Sequence, residues 1–138
     1  MRIWELATTH NMNSEDFKTR TKKFALRVIR LVESLPNTKV SGVIGRQLLR
    51  SGTSVGANYR AACRARSRAE FISKLGVVEE ECDESSYWME LLIESRQMKP
   101  ARLTDLMHES GELLAMVVAS SKTTKASGNP KSEIRNPK

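Results

Sequence analysis

Residues 42–65 constrain the fold of this chain more than any other stretch, because three series of residues repeat along them with helical spacing. Apolar side chains recur at steps of three, four and seven residues, which places them on one face of a helix. Each interior glycine costs about 1 kcal/mol relative to alanine, so tight packing must compensate for it. The stretch is therefore predicted to be the central helix of an all-α protein. The three series are Ile44, Leu48, Val55, Tyr59 and Ala62 (apolar), Gly45, Gly52, Gly56 and Cys63 (small), and Arg46, Arg50, Arg60 and Arg64 (basic).

Three further segments carry a helical pattern of apolar residues. The first follows a cap at Asn13 or Ser14 and ends before Pro36, and the third begins with a capping box over Ser67–Glu70. The predicted helices span residues 14–35, 40–65, 68–97 and 101–121. Short connections make such helices antiparallel, which predicts an up-down-up-down four-helix bundle. Residues 1–13 are then an irregular lead-in and residues 122–138 a disordered basic tail.

Composition restricts the class of protein. The 138 residues are enough for one domain with a core, and 39% apolar residues with only 5% aromatic ones suit a helical bundle. Both cysteines fall in apolar helical patterns, which predicts neither a disulfide nor a zinc site. No run is long enough to span a membrane, and the first residues lack the pattern of a signal peptide. We therefore expect a cytoplasmic protein without membrane association.

The net charge of +7 is unevenly distributed. Residues 14–70 carry a net charge of +9, whereas residues 71–98 carry −5, so some cations are left over even if every carboxylate pairs. Cations on helices can neutralise phosphates without reading base sequence. The alternative is that they are solvated or pair with the acidic third helix. The candidate nucleic-acid-binding residues are Arg20, Lys23, Arg27, Arg30, Arg46, Arg50, Arg60, Arg64, Arg66 and Arg68.

The sequence gives little support to an enzymatic function. Di-iron bundles use Glu-x-x-His on two helices, and this chain offers a single related pattern, Asp105-x-x-His108. A solvated His108 is the better interpretation, and Cys63 and Cys82 have no partners that would make a nucleophile. We expect no catalytic residue, no metal and no cofactor.

Self-association is the third possibility. The small series, represented by Gly45, Gly52 and Gly56, is suited to seat a neighbouring subunit, although it serves equally well for packing inside one bundle. Tyr87 and Trp88 are adjacent and cannot both face one interface, so one of them is expected to anchor a subunit contact, and Trp88 is the candidate.

Several of these residues also form a pattern found in a known family. Gln47-Leu48-x-Arg50-Ser51-x-x-Ser54-Val55-x-x-Asn58, the turn at 67–71 and a long helix with Glu84 resemble the four-helix-bundle proteins encoded in intervening sequences of bacterial 23S ribosomal RNA genes. That family is similar to the accessory variability protein of diversity-generating retroelements. Many members have Glu-Gly where this chain has Ala61-Ala62, and Gly-Ser where it has Glu80-Glu81. The resemblance implies a homo-oligomeric ring, commonly a pentamer, with no catalytic residues.

The functional expectation is a non-enzymatic ring that binds RNA, DNA or a nucleic-acid-processing protein through its basic helix faces. The alternative is an oligomeric scaffold for a protein partner without direct contact to nucleic acid. Phosphate-driven affinity falls steeply with salt, whereas an apolar adaptor contact does not.

Overall fold

The structure, a computed structural model, describes residues 13–127, which form four α-helices. They are α1 (Ser14–Glu33), α2 (Lys39–Cys63), α3 (Arg68–Glu94) and α4 (Pro100–Ser127). Each helix packs against the next one in the chain and α1 also touches α4, so α1 and α3 lie diagonally opposite. The predicted all-α, antiparallel four-helix bundle is confirmed. The predicted lead-in, apart from Asn13, and the predicted tail beyond Ser127 lie outside the described residues.

Helices α1 and α3 begin at side-chain caps that the sequence predicts. The Asn13 Oδ1 accepts hydrogen bonds from the amides of Glu15 and Asp16, at 2.8 and 3.3 Å. At the start of α3 the Ser67 Oγ accepts from the Glu70 amide at 3.1 Å, as the capping box predicts. The Glu70 carboxylate reaches one residue further back than in the standard box and accepts from the Arg66 amide at 2.9 Å.

The predicted apolar faces meet in one core. On α3 one face with helical spacing is buried, and on α2 the predicted apolar residues are buried as well. Tyr59 packs edge-on against Phe17 of α1, with 4.5 Å between the ring centroids. The buried face of α3 consists of Phe71, Leu75, Val78, Cys82, Ser85, Met89 and Leu92.

The small series of α2 packs against α1 of the same chain. A Cβ placed on Gly52 would lie 2.8 Å from both methyl groups of Val28, and one on Gly56 would lie 3.0 Å from the Thr21 Oγ1. A Cβ on Gly45 would lie 3.0 Å from the end of Leu35, in the turn after α1, and 3.4 Å from a methyl group of Val32. All three glycines are buried in packing inside one bundle, which is the alternative considered above, and a subunit seat at these positions stays a prediction. Their spacing predicts a close approach but does not say which helix makes it.

The fourth helix is longer than predicted. It continues to Ser127, six residues beyond the predicted end at Ser121, so residues 122–127 are helical and are not a disordered tail. Small hydroxyl side chains replace the apolar ones here. Thr124 is fully buried and its hydroxyl donates to the Ser120 carbonyl at 2.8 Å, which hides its polarity inside the helix. The apolar pattern alone therefore underestimates the buried length.

Candidate nucleic-acid interface

Arg20, one of the ten predicted cations, is neutralised by carboxylates of the same bundle. Its Nε and Nη2 donate to the two oxygens of Glu109 on α4, both at 2.8 Å, and Nη2 lies 3.5 Å from Glu112. The hydrogen bond from Arg20 lowers the pKa of Glu109 and raises the pKa of Arg20 itself. Pairing within the chain, the alternative considered above, therefore holds for Arg20.

Arg50 is likewise engaged, between α2 and α3. Its Nη2 donates to Glu84 and its Nη1 lies 3.2 Å from Glu81, and the bond to Arg50 is the main reason why the pKa of Glu84 is lowered. The half-buried Trp88 joins this group, since its Nε1 donates to Glu84 at 3.2 Å. The adjacent Tyr87 is 53% exposed. Tyr87 is therefore the more exposed of the two aromatic residues, although Trp88 is the predicted anchor of a subunit contact.

The other predicted cations remain without ion pairs inside residues 13–127. Arg27 and Arg30 line a cleft of about 290 Å³ between α1 and α4, which also holds Asp105. Arg68 is half-buried, and its Nε has no hydrogen-bond partner among the described residues. The exposed members of the set are Lys23, Arg30, Arg46, Arg60, Arg64 and Arg66.

Two of these exposed arginines border a groove between α1 and α2. Because the helices are antiparallel, the beginning of α1 lies beside the end of α2. A groove of about 550 Å³ at this place is lined by four cations and one carboxylate. The carboxylate belongs to Glu15, which pairs with Lys18 at 3.0 Å. The cations are Lys18, Lys22, Arg60 and Arg64.

The groove continues along the two helices into a smaller cleft of about 270 Å³ that shares Lys22 and Arg60 with it. Small residues line this second part, among them Ala25, Gly56 and Ala57. The α1–α2 groove, meaning both parts together, is therefore an open channel with small residues along it and cations at its edges.

Sequence reasoning found Arg60 and Arg64 but missed Lys18 and Lys22. It traced cations along single helices, whereas the groove is assembled from two helices. The signal was available in the antiparallel pairing of α1 with α2, which places the ends of both basic segments side by side.

Other chemistries have no comparable site in the described part of the chain. Residues 13–127 contain no group of three His, Cys, Asp or Glu that could hold a metal ion. His108 is 76% exposed, with its Nε2 3.2 Å from Glu112. Burial raises the pKa of the Cys82 thiol to about 12, so it is protonated at neutral pH. None of the described helices combines the length and apolarity needed to cross a membrane.

Four antiparallel helices and the α1–α2 groove define this chain as a four-helix-bundle protein with an open basic groove. The sequence model of the 23S rRNA-intervening sequence protein family matches residues 14–119, and the chain belongs to that family. A similar solved structure is a protein with unknown function from the S23 ribosomal protein family of Bacteroides thetaiotaomicron VPI-5482. It is 36% identical, the match covers 79% of this chain and 97% of that one, and the TM-score is 0.74. A comparison with curated proteins finds no match.

Proposed function

We propose that this protein is a non-enzymatic bundle that associates with copies of itself, in a five-membered ring, and binds the phosphate backbone of RNA or DNA. The observation that carries the nucleic-acid part is the α1–α2 groove. Lys22, Arg60 and Arg64 border it without ion pairs inside residues 13–127, and its single carboxylate, Glu15, is already paired with Lys18.

The residues that line the groove favour contacts with the phosphate backbone over recognition of the base sequence. Lysine and arginine side chains neutralise phosphates and release counterions, and this supplies affinity that does not depend on sequence. Among residues 13–127, no Phe, Tyr or Trp lines the groove, so this part of the chain offers no platform there for stacking bases. The ligand class is therefore a polyanionic strand, with RNA and DNA bound through the feature they share.

The test measures binding of fluorescently labelled single-stranded RNA and DNA of equal length by anisotropy, over a series of salt concentrations. The variant Arg60→Glu with Arg64→Glu reverses two charges in the groove. We expect it to weaken binding at least tenfold at low salt and to reduce the slope of log affinity against log salt by about one to two.

A matched control reverses two exposed charges at the opposite end of the bundle, Lys39→Glu with Lys99→Glu. It makes the same change in net charge and should retain most of the affinity. Equal loss in both variants would mean that only net charge matters, and affinity that does not respond to salt would favour a protein-binding scaffold. Either result would overturn the groove as the nucleic-acid site.

A further inference from the structure

The outer surface of α3 carries a regular stripe that the proposed nucleic-acid site does not use. Exposed residues follow one another at steps of three and four along the face that points away from the core, and its four carboxylates have no ion pair within residues 13–127. At the centre stands Tyr87, which is 53% exposed. The acidic face of α3, as we call it, consists of Glu80, Asp83, Tyr87, Glu90 and Glu94.

The outer surface of α1 carries cations on both sides of an exposed apolar residue. Leu26 is 43% exposed, which makes it one of the few large apolar side chains on the surface of the described bundle. Cations lie one helical turn to either side of it, since Lys23 precedes it and Arg30 follows it. We call Lys23, Leu26 and Arg30 the basic face of α1.

The spacing of the two faces matches. On α3, Asp83 and Glu90 lie four residues before and three residues after Tyr87, while on α1 Lys23 and Arg30 lie three before and four after Leu26. Residues three and four apart are neighbours on a helix surface. A contact between Leu26 and Tyr87 would therefore place a cation beside a carboxylate on both sides of the apolar pair, whichever way the helices run.

One molecule cannot make this contact with itself, because α1 and α3 are diagonally opposite in the bundle. Two further observations agree with a neighbour on α3. Gly76, one turn before Glu80 on the same face, lies in the middle of the helix, where glycine costs about 1 kcal/mol, yet a Cβ on it would meet nothing within 4 Å. Within the bundle of residues 13–127, Tyr87 and Leu26 also remain about half exposed.

We propose that the acidic face of α3 binds the basic face of α1 on a second copy of this chain. The contact is heterologous, since it joins two different surfaces, and repetition around a closed circle produces a ring. This inference rests on the self-association in the proposed function and names the surfaces that carry it. Charge complementarity selects the partner and its orientation, and the apolar pair excludes water at the centre.

The test measures molar mass by light scattering after size exclusion, in the absence of nucleic acid and at low and high salt. We expect the natural chain to elute as a multiple of its 15.5 kDa mass. The variant Asp83→Lys with Glu90→Lys should fall to the monomer mass, as should Lys23→Glu with Arg30→Glu. Mixing the two variants should give a species larger than the monomer, because the reversed α3 face of one is complementary to the reversed α1 face of the other, and their unchanged faces also match.

All four substitutions are on exposed positions, and circular dichroism shows whether each variant keeps its helices. The control pair Lys39→Glu with Lys99→Glu should keep the natural mass. A larger species that survives both reversals, or a mixture that stays monomeric, would overturn these surfaces while leaving self-association intact. A natural chain that is monomeric at every concentration would overturn the inference and the ring, whereas the anisotropy of Arg60→Glu with Arg64→Glu tests the nucleic-acid site separately.

Discussion

On one side α1 packs against α2 through three glycines, and on the other it is joined to α4 by an arginine and two glutamates. The α1–α2 interface is close and apolar, with Gly52 directly against Val28. The α1–α4 interface is looser and is bridged by the Arg20–Glu109 pair and by a hydrogen bond of 3.1 Å from Arg102 to the Ser34 Oγ. The first interface has no room for extra volume at Gly52, while the second depends on charge.

The largest effect is expected from Gly52→Ala. The added Cβ would lie 2.8 Å from both methyl groups of Val28, which is fully buried and, being β-branched, has little freedom to rotate away. Overpacking outweighs the gain in helix propensity, and we expect the free energy of unfolding in urea to fall by about 2 kcal/mol.

Gly45→Ala is the matched control, because its nearest neighbour at 3.0 Å is the flexible end of the half-buried Leu35. It should cost less than about 1 kcal/mol, since the tip of this side chain can shift. Equal costs at the two glycines would show that the mobility of the neighbouring side chain does not decide the penalty.

The charged interface is tested by Glu109→Gln. Arg20 lowers the pKa of Glu109, so this carboxylate stabilises the fold at pH values above its ordinary pKa of 4.5 and loses that contribution as the pH falls through its lowered value. We expect the variant to be less stable by about 1 to 1.5 kcal/mol at pH 7, with the difference shrinking below about pH 4.5. Urea unfolding at pH 7, 5, 4 and 3 measures this, and a constant difference would exclude ionisation as its cause.

The two kinds of contact also differ in how far the sequence predicts them. The close approach of α2 follows from the spacing of its glycines, and the core follows from apolar periodicity, because both are properties of single helices. The pairing of Arg20 with Glu109 joins residues of two helices distant in the chain, and nothing in the spacing of either helix selects that partner. The α1–α2 groove differs, because α1 and α2 are consecutive and their predicted antiparallel pairing already places Lys18 near Arg64, whereas the spacing of cations along a single helix does not.

The variant Gly111→Ala in α4 measures the intrinsic cost of a helical glycine where no neighbouring helix is close. This glycine is exposed, and a Cβ on it would meet nothing within 4 Å. The substitution should raise the free energy of unfolding by about 1 kcal/mol, the ordinary advantage of alanine in a helix. If Gly111→Ala raises the free energy of unfolding and Gly52→Ala lowers it, the close approach of α1 is what makes glycine necessary in α2. A loss of stability at Gly111 would contradict this interpretation.

The smallest effect is expected where neither interface is involved, at the end of α3. Arg96 has a φ of 61°, in the left-handed region that favours glycine. Its amide donates to the Ile93 carbonyl and that of Gln97 to the Leu92 carbonyl, both at 3.0 Å, which is the Schellman arrangement. Arg96→Gly removes the strain of the Cβ but gives the unfolded chain more freedom, so we expect the free energy of unfolding to rise by only about 0.5 kcal/mol.

Because Arg96 contacts neither interface, combining this variant with Gly52→Ala or with Glu109→Gln should give additive changes in urea unfolding. Non-additivity would mean that the α3–α4 turn sets the position of α4 against α1, and the two interfaces could then no longer be treated as independent.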